Sequence, residues 1–300
     1  MAVHKKSYRR YEGAYTPAWS RFLILPRYSF EEMRGRRFFG LFFLGTFIWP
    51  VVCALVIYLH HNLSALEALK LDPSKIVRID SGFFLFYLGF QSMLSFFLAV
   101  FVGPGLVSAD LANNALPLYL ARPFSRAEYV LGRMSVLVIL LSVMTWVPGL
   151  LLFGFQSYLA GAAWREANGR IAGALLLGSW IWILVVSLLV LALSAWVKWK
   201  PLAGGLLFLV FFLGGALGNA ANELLRTHWG QLINLSHLIG TVWLGLFGQP
   251  AKLGAGAVFF RVQARGGLTP DWAAWGTLIG LCLLCLALLS KKIRGIEVSR

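Results

Sequence analysis

Few residues in this chain are of a kind that does chemistry, and their spacing narrows what they can do. The three cysteines, Cys53, Cys282 and Cys285, all sit within long apolar runs. Cys282 and Cys285 make a C-x-x-C, the spacing of a redox pair or of half a zinc site. No second pair and no nearby histidine completes it, so we read the cysteines as packing residues. His60 and His61 stand together where an apolar run meets polar residues. Two imidazoles can hold a metal, but this position suits interfacial side chains better. Glu223, Arg226, His228, His237 and Arg261 are the remaining acid–base groups of one late segment. A membrane enzyme acting on lipid would need them, yet their spacing fits no catalytic motif. There is no H-E-x-x-H, no G-x-S-x-G, and no Lys follows a Gly, so the phosphate loop of ATP-hydrolysing proteins is absent. No enzymatic activity and no cofactor are expected of this chain.

The stretch from Ser108 to Arg133 is different, because its residues suit contact with another protein. Arg122-Pro123 imposes an extended link. Ser125 and Glu128 then stand three apart in a capping-box pattern, which starts a helix. The portion Ser108–Leu120 can form a short amphipathic helix that exposes Leu118 and Tyr119. Apolar side chains held at an aqueous surface ask for a partner to cover them.

The elements that position this stretch follow from composition. Of 300 residues, 59% are hydrophobic and 13% are charged, against about 25% charged in soluble domains. The net charge of +15 raises nucleic acid as a partner, but the charges avoid the apolar runs and collect at their ends, which excludes it. Six runs free of Asp, Glu, Lys and Arg are long enough to cross a bilayer: Phe38–His60, Gly82–Val107, Met134–Gln156, Ile171–Val197, Leu202–Asn222 and Trp272–Ser290. Only helices serve there, since lipid offers no partner for free backbone groups. The expected fold is therefore an all-α integral membrane protein of about six transmembrane helices. No carboxylate, Lys or Arg lies mid-span, which weighs against an ion-coupled carrier.

Lys and Arg set the orientation. Lys5, Lys6, Arg9, Arg10, Arg21, Arg27, Arg34, Arg36 and Arg37 precede the first run, and two thirds of all Lys and Arg fall on that same side. Both termini are thus expected in the cytoplasm. The first 37 residues are polar and basic, and no cleavable signal is visible.

The domain plan is a cytoplasmic segment 1–37, a six-span domain 38–290 and a cytoplasmic tail 291–300. The six-span domain contains the loop 108–133 and an external segment 223–271. Ser29 and Glu32 form another capping-box pattern, so a short interfacial elbow helix is expected to start at Ser29 and to carry Arg34, Arg36 and Arg37 at its boundary. The four-residue link Lys198-Trp199-Lys200-Pro201 makes the fourth and fifth runs antiparallel neighbours. Gly214 and Gly218 share a helix face that permits close contact, within the chain or between subunits, with internal packing favoured. Leu232–Val262 is broken by Asn234, His237, Gln249, Pro250 and Lys252, and reads as external interfacial helices or a re-entrant piece.

The loop after the second run resembles the first cytoplasmic loop of the type-2 ABC export permeases. That family shows an acidic residue after Ile/Val-Ser, a Leu-rich stretch, Arg-Pro-x-Ser-Arg, an acidic residue and Gly-Lys/Arg. The matching residues here are Val107-Ser108, Asp110, Leu116–Leu120, Arg122-Pro123-Phe124-Ser125-Arg126, Glu128 and Gly132-Arg133. The six-span layout and basic elbow extend the likeness over most of the chain. Where the family often has Glu-Arg-Gly-Thr, this chain has Asn113-Asn114-Ala115.

The resemblance implies a permease subunit in the bacterial cytoplasmic (inner) membrane, paired with a second permease as a homo- or heterodimer in lipid. A separate ATP-binding cassette ATPase subunit hydrolyses ATP, and the loop couples that motion to the spans. On this likeness Asp110, Asn113, Asn114, Leu118, Tyr119, Arg122, Pro123, Arg126 and Glu128 are candidates for contact with the ATPase. A scaffold of the same ancestry that anchors an ATPase without transporting is the alternative.

Overall fold

Runs of apolar residues with charged ends become helices here with few exceptions. The computed structural model describes residues 17–35, 37–62, 64, 77–113, 115, 125–197, 199–226, 229–249 and 269–293. Among these residues there is no strand. A 3₁₀ turn at Ala18–Leu23 leads into α1 (Ile24–Arg34), and α2 (Arg37–Gly45) and α3 (Ile48–His61) follow. Next come α4 (Ser81–Ala112), α5 (Arg126–Met144), α6 (Trp146–Ala160) and the short α7 (Ala162–Asn168). The chain continues through α8 (Arg170–Trp196), α9 (Lys200–Leu225), a 3₁₀ turn at Trp229–Ile233, α10 (Leu235–Phe247) and α11 (Asp271–Lys292).

Six continuous or kinked units are long and apolar enough to cross a membrane: Arg37–His61, Ser81–Ala112, Arg126–Ala160, Arg170–Trp196, Lys200–Leu225 and Asp271–Lys292. Each contains most or all of one expected run. The protein is a multi-pass, all-α membrane protein. Large apolar side chains such as Leu41, Ile48, Leu151, Leu209 and Leu283 are exposed on the outside of the bundle, as lipid-facing residues are.

The most enclosed span is α8, which packs on α4, α5, α9, α10 and α11. Its seam with α4 is close because Gly103 carries no side chain. A Cβ there would stand 2.0 Å from Val190 Cγ1. A few residues on, the Ser194 hydroxyl inserts into the α4 ladder. It accepts from Ser108 N at 2.9 Å and donates to Pro104 O at 2.7 Å, standing between an N–H and the carbonyl four residues earlier.

Two spans are broken, each just before a proline. Pro50 has no N–H to give to the carbonyl of Thr46, and Gln91 Nε2 donates to that oxygen instead, at 3.2 Å. The break between α5 and α6 falls at Thr145, three residues before Pro148. Tyr87 Oη donates to Thr145 O at 2.9 Å. Tyr87 and Gln91 are one turn apart on α4, so one face of α4 braces both breaks.

The segment after α9 turns back into the bundle. After α9 ends at Arg226 (φ 47°), the turn Trp229–Ile233 lies on the α9 glycines. A Cβ on Gly214 would meet Ile233 O at 2.8 Å, and one on Gly218 would meet Gly230 O at 2.8 Å. The glycine face thus serves internal packing. Gly214 lies about 16 Å back from the end of α9 at 1.5 Å per residue. Asn234 caps α10, its side chain accepting from His237 N at 3.2 Å. The helix then runs back to the starts of α8 and α4. Arg170 donates to Leu246 O at 3.0 Å and to Gly245 O at 2.7 Å, and Gln249 Nε2 donates to Ser81 Oγ at 2.6 Å. The described part of this segment thus folds back along α9 toward the starts of α8 and α4.

Two expected boundaries are corrected. The elbow helix starts at Ile24 rather than Ser29, because Pro26 is tolerated in a first turn whose N–H groups lack partners in any case. Ser29 lies inside α1 and is buried. Likewise Ser108–Ala112 is the last turn and more of the long α4, not a separate loop helix.

Candidate coupling site at the elbow

The site forms where α1, the end of α4 and the start of α5 meet. Ser125 begins α5 with a complete capping box. Its Oγ accepts from Glu128 N at 3.2 Å, and Glu128 Oε2 accepts from Ser125 N at 2.5 Å. One turn inward, Tyr129 is fully buried and donates its hydroxyl to Asp110 Oδ2 at 2.6 Å. The next turn brings Arg133, whose Nη2 pairs with the same carboxylate oxygen while Nη1 donates to Ser29 Oγ at 3.0 Å. The guanidinium carbon lies 5.8 Å from the centroid of the Tyr129 ring.

Asp110 is 8% exposed, so this carboxylate faces the interior of the chain. An arginine pair and a phenol hydrogen bond together compensate its burial. Beside them, Gly132 lets α1 press against α5. A Cβ there would meet Leu25 Cδ1 at 2.7 Å and Phe22 O at 2.8 Å. The elbow, the second span and the third span are therefore joined by one polar cluster and one close helix contact. After α4 the backbone turns through Asn113 N to Ala109 O at 3.0 Å and Ala115 N to Asp110 O at 2.8 Å.

Of the candidate contact residues, Asn113 and Arg126 are exposed and Glu128 is half-buried as the cap of α5. Arg34 and Arg37 are exposed on the elbow. Asn114, Leu118, Tyr119, Arg122, Pro123 and Arg36 lie outside the described residues, as do His228 and Arg261. Tyr129, Arg133 and Ser29 were not among the candidates. The first two are spaced i,i+4 immediately after a strong cap, which places them on one face one turn apart. Ser29 has the sequence pattern of a cap because Glu32 follows it.

The other polar groups are dispersed. His61 Nε2 pairs with Gln156 Oε1 at 3.1 Å, and His237 Nε2 with Thr269 Oγ1 at 3.1 Å. Burial holds the His237 imidazole below the usual histidine value. Cys53 and Cys285 are buried and Cys282 is half-buried. Among the described residues no three His, Cys, Asp or Glu side chains are grouped to hold a metal. No protein family and no curated protein matches the chain.

Proposed function

We propose that the chain is the permease subunit of an ATP-driven exporter, working as a dimer in the bacterial cytoplasmic membrane beside a separate ATP-binding cassette ATPase. The observation that carries this reading is the clamp of Arg133 on Asp110 and Ser29. A loop that transmits force must be anchored stiffly to the elements it moves. Here one flank of the loop is the C-terminal end of α4, and the other is the capped start of α5. Both are tied to the elbow by the same guanidinium. Motion imposed on the loop is then shared by the elbow and two spans as one body. In this reading Asp110 is a strut behind the contact surface, while Asn113, Arg122 and Arg126 face the partner.

The test is co-purification. The tagged wild-type chain, extracted gently from its native membranes, brings ATPase activity with it. Arg122→Glu combined with Arg126→Glu removes that activity without changing the amount of permease recovered. Equal ATPase activity from both preparations would sink the reading.

A further inference from the structure

A cavity of about 600 Å³ opens between the elbow and the spans, walled by α1, α2, α4 and α9. That volume is within the range of about 300–1,000 Å³ typical of sites for small ligands. Its two ends differ in chemistry. Ser29, Glu32, Lys200 and the Asp110–Arg133 pair stand at one end, and Phe39, Phe42, Phe101 and Phe208 line the rest. Along α9, Lys200 to Phe208 covers about 12 Å, and along α4, Asp110 to Leu98 covers about 18 Å. The cavity is thus about half as deep as a hydrocarbon core of roughly 30 Å. Its charged end is the end of the bundle where α4 stops and α9 starts.

The phenylalanine-lined part suits hydrocarbon chains. The space is also kept open by the sequence. Gly105 and Gly205 both line it, and a Cβ on either would meet nothing within 4 Å, so no close backbone approach requires glycine there. Lys200 makes no ion pair with any described acidic residue, and its ammonium stands ready for a phosphate.

We infer that this cavity is a binding site for one membrane phospholipid, with the phosphate at Lys200 and the acyl chain among the phenylalanines. The inference rests on the membrane fold and the cavity, and holds whether or not the chain exports anything.

Photo-labelling of the full-length protein in vesicles tests it. Phosphatidylglycerol vesicles carry a trace of the same lipid with a diazirine on its acyl chain, and labelled peptides are mapped. Wild type is expected to carry label in the peptides holding Phe38–Phe42 and Lys200–Phe208. Gly205→Phe and, separately, Gly105→Leu are expected to lower it about tenfold. Labelling of the lipid-facing α11 residues Leu283 and Leu286 stays constant and reports that each variant is folded and inserted. A diazirine diacylglycerol, which lacks the phosphate, is expected to label the cavity several-fold less than the phospholipid, and Lys200→Glu to erase that difference. Cavity labelling that both space-filling variants leave unchanged would overturn the inference. So would equal labelling by the two probes.

Discussion

Arg133 closes on Asp110 across a gap of 23 residues, and the two side chains retain only 12% and 11% of their exposure. The pair is therefore close to a buried one. Its stability contribution is decided by what happens when one member is removed. Asp110→Ala removes a counter-ion of Arg133 and an acceptor of the Tyr129 hydroxyl. The expected loss is about 3 kcal/mol of unfolding free energy. The double variant Asp110→Leu with Arg133→Met removes both charges, and should recover most of that loss while removing the polar tie between the elbow and the loop flanks. Unfolding titrated with SDS, read for both variants, checks the sign. A double variant no more stable than Asp110→Ala would contradict the pairing.

The braces on the two broken spans make a second, sharper contrast. Among the described residues the carbonyl of Thr46 accepts from Gln91 alone, since Pro50 has removed the usual donor. The carbonyl of Thr145 accepts both from Tyr87 and from Gly149 N at 3.2 Å. Tyr87→Phe should therefore cost only about 0.5 kcal/mol, and Gln91→Leu about 1–2 kcal/mol, within the span measured for hydrogen bonds inside membranes. Pro50→Ala restores an N–H at the right position. Placed in the Gln91→Leu background it should regain stability, whereas in the wild type it should not. Thermal unfolding in detergent of the four variants decides this.

The glycine face of α9 can be tested by position. Gly218→Ala puts a methyl 2.8 Å from the backbone oxygen of Gly230, which is not free to swing away. The returning turn must shift, at a cost of about 1–3 kcal/mol. At Gly215 a Cβ would meet only the Asn234 side chain, at 3.4 Å, and an alanine there should be nearly neutral. Equal effects of the two alanines would mean that the turn does not rest on this face.

Most of the fold was legible because it depends on solvent. Each span shows as a run without charge, and Ser125 with Glu128 marked the start of α5 correctly. The errors share one cause, which is that local patterns carry no information on tertiary contact. Ser29 with Glu32 has the same spacing as Ser125 with Glu128. Only the packing of α1 on α5 makes Ser29 a partner of Arg133 instead of a cap. Asp110 reads as a loop charge until α4 is seen to run on to Ala112, which places it against Tyr129. The Ser194 hydroxyl opposite Pro104 and the Gln91 brace at Thr46 join residues 90 and 45 positions apart. No periodicity in the sequence announces either.

His237 gives α10 a pH response. Burial lowers its folded pKa, so the fold favours the neutral ring while the unfolded chain binds a proton near the ordinary value of about 6.5. Stability is then complete above that value and falls as the pH drops through it toward the lower folded pKa. His237→Gln can still pair with Thr269 and has no titrating ring. The gap between wild type and this variant should narrow as the pH falls from 7.5 to about 5.5. A gap that stays constant with pH would show that the imidazole does not titrate across folding.

The membrane orientation is open to a direct experiment, because α9 runs from Lys200 at one end of the bundle to Leu225 at the other. With Cys53, Cys282 and Cys285 replaced by alanine, single cysteines are introduced at Arg126, which is exposed at the start of α5, or at Leu224, which is 83% exposed at the end of α9. An odd number of spans separates the two positions, so they face opposite sides. By the positive-inside rule Arg126 is expected in the cytoplasm. In intact cells a membrane-impermeant maleimide should therefore label Leu224→Cys and spare Arg126→Cys, and in inside-out vesicles the pattern should reverse. The opposite pattern would put the loop beyond reach of any ATPase in the cytoplasm and remove the basis for the exporter reading. The cavity and its phospholipid would then still stand, in the other leaflet.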